Sequence, residues 1–293
     1  MLELVAQVVI SGVLLGAVYT LMAVGLSIAL GVMRIINVAH TTFIILGTYV
    51  GWQVWRIWEV NPMLTLLVLA PLFFGLGYAI ARWIVQPLAR MDPTMTVVAL
   101  FGVLLVIETV IAIVWTADTR AVTVGYAGMQ IDLGVASVST RRVVAGAVCL
   151  VVVAGLHVFF QHTIAGRSIR AMSENRDAAR VLGMNVTALG ATAFGLATAT
   201  AAFSGAALST LLAFEPQTHY VWLAWAFLVV VVGGFGSVLN TLVAGMALGL
   251  VETVLNLFLG FEWAYLAIYA LLGIALLLTG EGLLGKATAT RRI

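Results

Sequence analysis

Charge is what this chain lacks. Only 9% of its 293 residues are Asp, Glu, Lys or Arg, while 63% are apolar; soluble globular proteins carry about 25% and about 45–50%. A soluble fold of this size cannot hide so many apolar side chains in one core. That excludes a soluble enzyme, a secreted disulfide scaffold and a disordered tail. Cysteine is nearly absent too: Cys149, in an apolar run, is alone. An internal disulfide and a cysteine-based zinc cluster are therefore excluded. Neither charge sign dominates, since fourteen basic and twelve acidic residues give a net +2, too balanced to suggest a nucleic acid partner.

Catalytic signatures are missing as well. There is no HExxH, and Ser204-Gly205 lacks both the preceding Gly-x and the paired histidine of a membrane serine protease. His157 and His162 are five apart, the wrong spacing for one helix face, and read as interfacial residues. The stretch Gly280-Glu-Gly-Leu-Leu-Gly-Lys286 approximates a phosphate loop, but Ala287 stands where a magnesium-binding Ser or Thr is required and a membrane span precedes it. No catalytic, cofactor-binding or metal site is expected on this chain.

What is there is a series of long apolar runs. A helical membrane crossing needs about 20 apolar residues, and nine runs qualify: 4–33, 36–55, 63–85, 94–116, 142–161, 187–212, 221–236, 238–259 and 263–280. The expected fold is all-α, a polytopic membrane protein of eight or nine transmembrane helices in a single domain, 1–293, with a short cytoplasmic helix. The first run is too long for one crossing, which implies tilt or extra structure near Gly31. The seventh and eighth meet at Gly233-Gly234-Phe235-Gly236-Ser237, where a helix break is expected. Segment 117–141 alternates apolar and polar residues between glycines and reads as a small external β-like cap, a docking surface or a plain connector.

Lysine and arginine distribution sets the orientation. With the 162–186 loop in the cytoplasm, ten basic residues lie inside, including Arg34, Arg82, Arg90, Lys286, Arg291 and Arg292. Arg56, Arg120, Arg141 and Arg142 remain outside. The N-terminus is then outside and the C-terminus cytoplasmic; a fused pair of runs would flip the N-terminal side.

The 163–186 loop, TIAGRSIRAMSENRDAARVLGMNV, breaks the apolar pattern with four arginines and two acids in 24 residues. Ser173 is an expected N-cap, Glu174 and Asp177 suit a first turn, Arg180 a last turn, and Gly183 a C-terminal stop. Ala178, Val181 and Leu182 share one face. Three readings are open: a helix lying on lipid, a solvated loop, or an apolar face inserted into a groove on a cytoplasmic protein. The acids, and the absence of an aromatic on the apolar face, argue against lipid.

Polar groups inside the membrane are expensive, at least about 2.5–3.5 kcal/mol for a central charge. Glu108 and Glu252 each stand within an apolar run, as ion sites or as packing hydrogen bonds. Arg34, Asn37, His40, Thr41 and Thr42 cluster between the first two runs, lining a solute path or forming a surface loop. Glu215 to Tyr220 is a short polar mouth. Gly12/Gly16 and Gly245/Gly249 are spaced for close helix packing.

Three stretches carry a family resemblance. Glu-Asn-Arg-Asp-Ala-Ala-Arg-Val-Leu-Gly-Met-Asn, at 174–185, resembles the coupling loop of permeases in ABC importers for branched-chain amino acids, the LivH/LivM type. Gly25-Leu26-Ser27 and Gly31-Val32-Met33-Arg34-Ile35-Ile36-Asn37-Val38-Ala39-His40 are similar to the first signature of the LivH-type subunit. Gly233-Gly234-Phe235-Gly236-Ser237, with Gly245, Gly249 and Glu252, resembles its late signature. These matches are collinear over nearly the whole chain. Thr41-Thr42 replace the usual Gly and acid after Ala-His, and Asn240 a usual Gly, departures that bear on the substrate.

The resemblance implies a permease subunit in the bacterial inner membrane, paired with a second, LivM-like permease subunit and surrounded by membrane lipids. Two cytoplasmic ATPase subunits would carry ATP and Mg. A periplasmic solute-binding protein would deliver a branched-chain amino acid or a similar small polar or amphipathic solute. Relatives of similar appearance take urea, short amides or aromatic acids. Coupling would fall to Arg170, Glu174, Arg176, Asp177, Arg180, Leu182 and Gly183. The solute path would fall to Arg34, Asn37, His40, Thr41, Thr42, Gly233, Gly234, Gly236, Ser237 and Glu252. The alternative is a self-sufficient secondary transporter or channel using Glu108 or Glu252.

Overall fold

Long apolar helices leave no backbone group unpaired in lipid, and the chain takes that solution throughout. The computed structural model describes residues 2–89, 91–132, 134 and 136–278. Arg90, Lys286, Arg291, Arg292 and the 280–286 stretch lie outside the described residues. The elements run α1 (Leu2–Met33), α2 (His40–Trp58), α3 (Pro62–Ile80), a π-helical turn (Ala81–Val85), α4 (Gln86–Ala89) and α5 (Pro93–Trp115). A two-stranded hairpin follows, β1 (Gln130–Asp132) and β2 (Ser137–Ser139). Then come α6 (Thr140–His162), α7 (Ile164–Glu174), α8 (Arg176–Val181), α9 (Val186–Leu211), α10 (His219–Gly233), α11 (Val238–Leu259) and α12 (Phe261–Leu278).

The protein is an all-α polytopic membrane protein. Among the described residues, seven helices are long and apolar enough to cross a bilayer; α2 falls short because its run is interrupted by polar residues, and α12 offers a shorter apolar stretch. The nine apolar runs correspond to these nine helices. The first run is one unbroken helix, about 48 Å long at 1.5 Å per residue. Gly31, where extra structure was expected, is instead a contact: a Cβ there would stand 2.7 Å from Gly236 Cα.

Small residues decide which helix occupies the centre. α9 is rich in alanine, glycine and threonine, so α1, α2 and α3 approach its backbone closely: a Cβ on Gly25 would stand 2.8 Å from the Ala197 carbonyl, and one on Gly195 2.8 Å from that of Phe74. Within their most apolar stretches α1 is 78% and α9 67% buried against 17% for α5, so α1 and α9 form the packed interior and α5 lies at the periphery. α11 runs antiparallel along α1 through the two glycine pairs. A Cβ on Gly12 would stand 2.9 Å from Leu250 Cα, and one on Gly16 2.6 Å from the Gly245 carbonyl.

The 117–141 segment does carry β structure. β1 and β2 pair antiparallel with Ile131 opposite Val138, and Arg120 pairs with Phe214 across the mouth. The Arg120 guanidinium lies 4.5 Å from the centre of the Trp52 ring. Val122 and Val124 anchor it in the core, whereas Met129 and Ile131 stay exposed.

Candidate functional site

Two interruptions of helix define the interior, and both sit beside α1. At the first, α1 ends with Arg34 in the left-handed region, at φ 55°, its N–H donating to the Leu30 carbonyl at 2.8 Å. Residues 34–39 then turn back along α1. His40 opens α2 and its Nε2 donates to the carbonyl of Met22 at 2.9 Å. Met22 lies eleven residues before the end of α1, about 16 Å along its axis. So α2 starts alongside the body of α1, well before its end.

That start is crowded with buried polar groups. Asn37, His40, Thr41 and Thr42 are all at most 1% exposed. Nε2 must donate to a carbonyl, so the neutral ring presents Nδ1 as an acceptor, and it has no partner. The Asn37 amide and the hydroxyls of Thr41 and Thr42 are also unpartnered. Asn37, His40, Thr41 and Thr42 are thus all buried around the start of α2. Arg34 stands apart from them, exposed at the end of α1.

The second interruption is the break between α10 and α11. Gly234 and Gly236 take φ of 81° and 77°, which L side chains rarely adopt. Ser27 of α1 holds the break from one side: its hydroxyl donates to the Gly234 carbonyl at 3.2 Å and accepts from the Gly236 N–H at 3.1 Å. The Ser27 carbonyl also accepts from the Gly236 N–H at 3.1 Å. Gly233 is packed against the backbone of Asn240 and Thr241. Ser237 caps α11 by accepting from the Asn240 N–H at 3.3 Å.

From the other side the break meets the hydrophilic loop. A Cβ on Gly236 would stand 3.6 Å from the Ser173 hydroxyl. Between α1, the end of α6, α7 and the break lies a cavity of about 430 Å³, whose wall includes Gly234, Gly236, Ser237, Arg170 and Glu174. Residues assigned from sequence to the path and to coupling thus share one wall.

The loop itself is two helices, not one. Ser173 does not cap anything: it belongs to the last turn of α7, and its hydroxyl donates to the Arg170 carbonyl at 2.9 Å. Ile169 and Met172 are buried and carry α7 onward past it. The cap is Asn175, whose side chain accepts from the Ala178 N–H at 3.0 Å. Gly183 ends the second helix as expected, at φ 79°. Arg180 and Asp177 pair at 3.9 Å on the exposed face, and Arg176 is exposed with them. Ala179 is buried, while Val181 is 87% and Leu182 74% exposed. Two aliphatic side chains thus face outward beside a charged edge.

The two intramembrane acids differ. Glu108 on α5 accepts from the Tyr220 hydroxyl at 2.8 Å and lies 3.5 Å from His219 Nε2, so it ties α5 to the start of α10. Sequence reasoning treated 215–220 only as a mouth and missed this pairing. Glu252 is 4% exposed, beside Tyr19 and Asn256, with its Oε2 unpartnered. It lies fourteen residues beyond Val238, about 21 Å along α11 from the break, and does not join the cavity. His157, read as interfacial, also lines the cavity. No group of three or more potential metal ligands occurs among the described residues.

Comparison with known proteins identifies the family. The family model described as "Branched-chain amino acid transport system / permease component" matches residues 8–276. The high-affinity branched-chain amino acid transport system permease protein LivH of Salmonella typhimurium is 26% identical, covering 96% of this chain and 95% of its own. LivH of Escherichia coli K12 is 25% identical over the same shares. BraD, the corresponding permease protein of Pseudomonas aeruginosa, is 22% identical, again over 96% and 95%. No solved structure matches the chain. These relatives are transport permeases, not enzymes, and the chain belongs to the family of permease components of branched-chain amino acid transport systems.

Proposed function

We propose that this chain is one permease half of an ATP-driven importer for branched-chain amino acids or a closely similar amphipathic solute. In this reading the 163–186 loop is cytoplasmic, the N-terminus external and the C-terminus cytoplasmic. A periplasmic binding protein delivers solute to the 117–141 side, and a second permease subunit completes the path. ATP and Mg stay on two ATPase subunits that dock on α8. The observation that carries the reading is that α7 and the helix break line one cavity, with Arg170, Ser173 and Glu174 on one side and Gly234 and Gly236 on the other. Movement of the loop by a docked partner has a direct mechanical route into the membrane.

The path itself runs past the start of α2 and the break. The start of α2 leaves the buried side chains of Asn37, His40, Thr41 and Thr42 with unpartnered polar atoms, which a cavity or a solute can satisfy. Solute-stimulated ATPase activity of the complex purified with its genomic neighbours is the expected result. Uptake by this chain alone in ATP-free liposomes would sink the proposal. It would favour instead a secondary transporter working through Glu252, the intramembrane acid with an unpartnered carboxyl oxygen.

A further inference from the structure

At the end of the molecule opposite the 163–186 loop, a pocket of about 580 Å³ opens between the last turns of α2 and α5. Among the described residues no acid lines it, and its polar groups are mainly donors. The Arg56 and Arg120 guanidiniums both lie against the Trp52 ring, 5.3 and 4.5 Å from its centre, so a cation–π contact holds two like charges close together. Arg120 is fixed in place: its Nη2 donates to the Trp115 carbonyl at 2.7 Å and to the Thr116 hydroxyl at 3.0 Å. Asp118 stands 3.6 Å from it and offsets one of the two charges. Arg56 is exposed and has no acid or hydrogen-bond partner among the described residues. Gln53 accepts from the Trp115 indole at 2.9 Å through Oε1, which leaves its amide N–H donors for another molecule.

The pocket lies at headgroup depth. α5 has 23 residues, about 35 Å at 1.5 Å per residue, against a hydrocarbon core of about 30 Å. Its last residue, Trp115, therefore reaches the interface, and Trp52, Trp55 and Trp58 join it as the aromatic belt of that level. Below the pocket Val114, Val110 and Val106 are all exposed and, spaced by four, share one face of α5. A donor-lined pocket thus continues into an exposed apolar track. A protein carboxylate would fill the pocket and leave the track bare, whereas a molecule with a phosphate head and an alkyl tail uses both.

We infer that this pocket binds the phosphate of an anionic phospholipid in the leaflet opposite the 163–186 loop. Arg56 and the Gln53 amide take the phosphate oxygens, Trp52 and Arg120 form the back wall, and an acyl chain lies along Val114, Val110 and Val106. Phosphatidylglycerol is preferred to phosphatidylethanolamine, whose ammonium meets two guanidiniums and no lining acid. A lipid seated there ties the end of the sparsely buried α5 to α2.

The test is photocross-linking of the assembled transporter in phosphatidylcholine nanodiscs that contain a trace of phosphatidylglycerol with a diazirine on its acyl chain. Peptide mass spectrometry is expected to place adducts on residues 106–114. Their yield should be about fivefold higher than with the matching phosphatidylethanolamine probe, the weight of about one basic residue at an anionic surface. Arg56→Gln lowers the yield about fivefold and Arg56→Lys keeps it within about twofold, while adducts on the exposed Leu67 and Val68 of α3 stay constant in both. Equal yields from the two probes, an unchanged yield in Arg56→Gln, or full competition by free glycerol 3-phosphate, which would mark a free-anion site, overturns the inference. So does weakened affinity for the solute-binding protein in Arg56→Gln with the 106–114 adducts intact, which would assign the pocket to an acidic protein partner.

Discussion

The Ser27 side chain holds the helix break to α1, and its partner Gly234 is 207 residues away in sequence. Nothing local marks it, which is why the stretch Gly25-Leu26-Ser27 is recognisable only as part of a family pattern. Ser27→Ala removes both side-chain hydrogen bonds at the break and leaves a buried N–H and C=O with poorer partners. A loss of about 1–2 kcal/mol is expected, read as a lowered midpoint of thermal unfolding in detergent, together with reduced uptake. Gly183 is the opposite case, fully legible. A glycine after an apolar, basic-ended turn signals a left-handed stop, and φ is 79°. Gly183→Val forces a β-branched residue into that region at about 1–2 kcal/mol. Retained membrane insertion with weakened ATPase co-purification is expected; unchanged co-purification would detach α8 from docking. Ser173 and Asn175 show the limit of such reading. Both are good caps, and only the buried anchors Ile169 and Met172, which extend α7 through 174, decide for Asn175.

At the scale of elements, apolar periodicity found the helices because lipid demands length and continuity. It found the ends less well. The start of α2 was visible as a polar cluster, yet its depth was not, because depth depends on the path of residues 34–39 back along α1. The α1–α11 pair offers a sharp test. Gly16→Leu must push the Gly245 backbone aside, since even a Cβ would stand 2.6 Å from it. Overpacking of this kind costs typically about 1–3 kcal/mol. A Cβ at Gly75 on α3 meets nothing within 4 Å, so Gly75→Leu is the control. Loss of folded protein by fluorescence-detected gel filtration is expected for the first and not the second; equal yields would refute the packing role. The α8 face offers another. Leu182→Asp places a charge on the exposed aliphatic edge, and at least a tenfold weaker affinity for the ATPase subunits is expected, with the permease itself as stable as before.

For the molecule as a whole, the scarcity of cysteine becomes an experimental asset. Cys149 is buried, so single cysteines elsewhere report their own accessibility. A cysteine at Asp177 should react with a membrane-impermeant maleimide only in inside-out vesicles, and one at Gln130 only in right-side-out cells. The reverse pattern would invert the proposed orientation. Family and fold were legible at this scale because motif order survives over the full chain. The grouping of Arg170 and Glu174 with Gly234, Gly236 and Ser237 was not, since it requires α7 to fold back under the break.

The π-helical turn at Ala81–Val85 has a consequence for the register of everything after it. A π turn accommodates an extra residue in an α-helix, and each residue rotates the helix by about 100°. Gln86, immediately beyond it, donates from Nε2 to the Thr187 carbonyl at 2.6 Å, fastening α4 to the first turn of α9. Removing one residue between 81 and 85 would restore a plain helix, swing Gln86 away from Thr187 and uncouple the foot of the central helix from its neighbour. Length variation in this family should therefore be tolerated in the 117–141 segment and purged from this one turn.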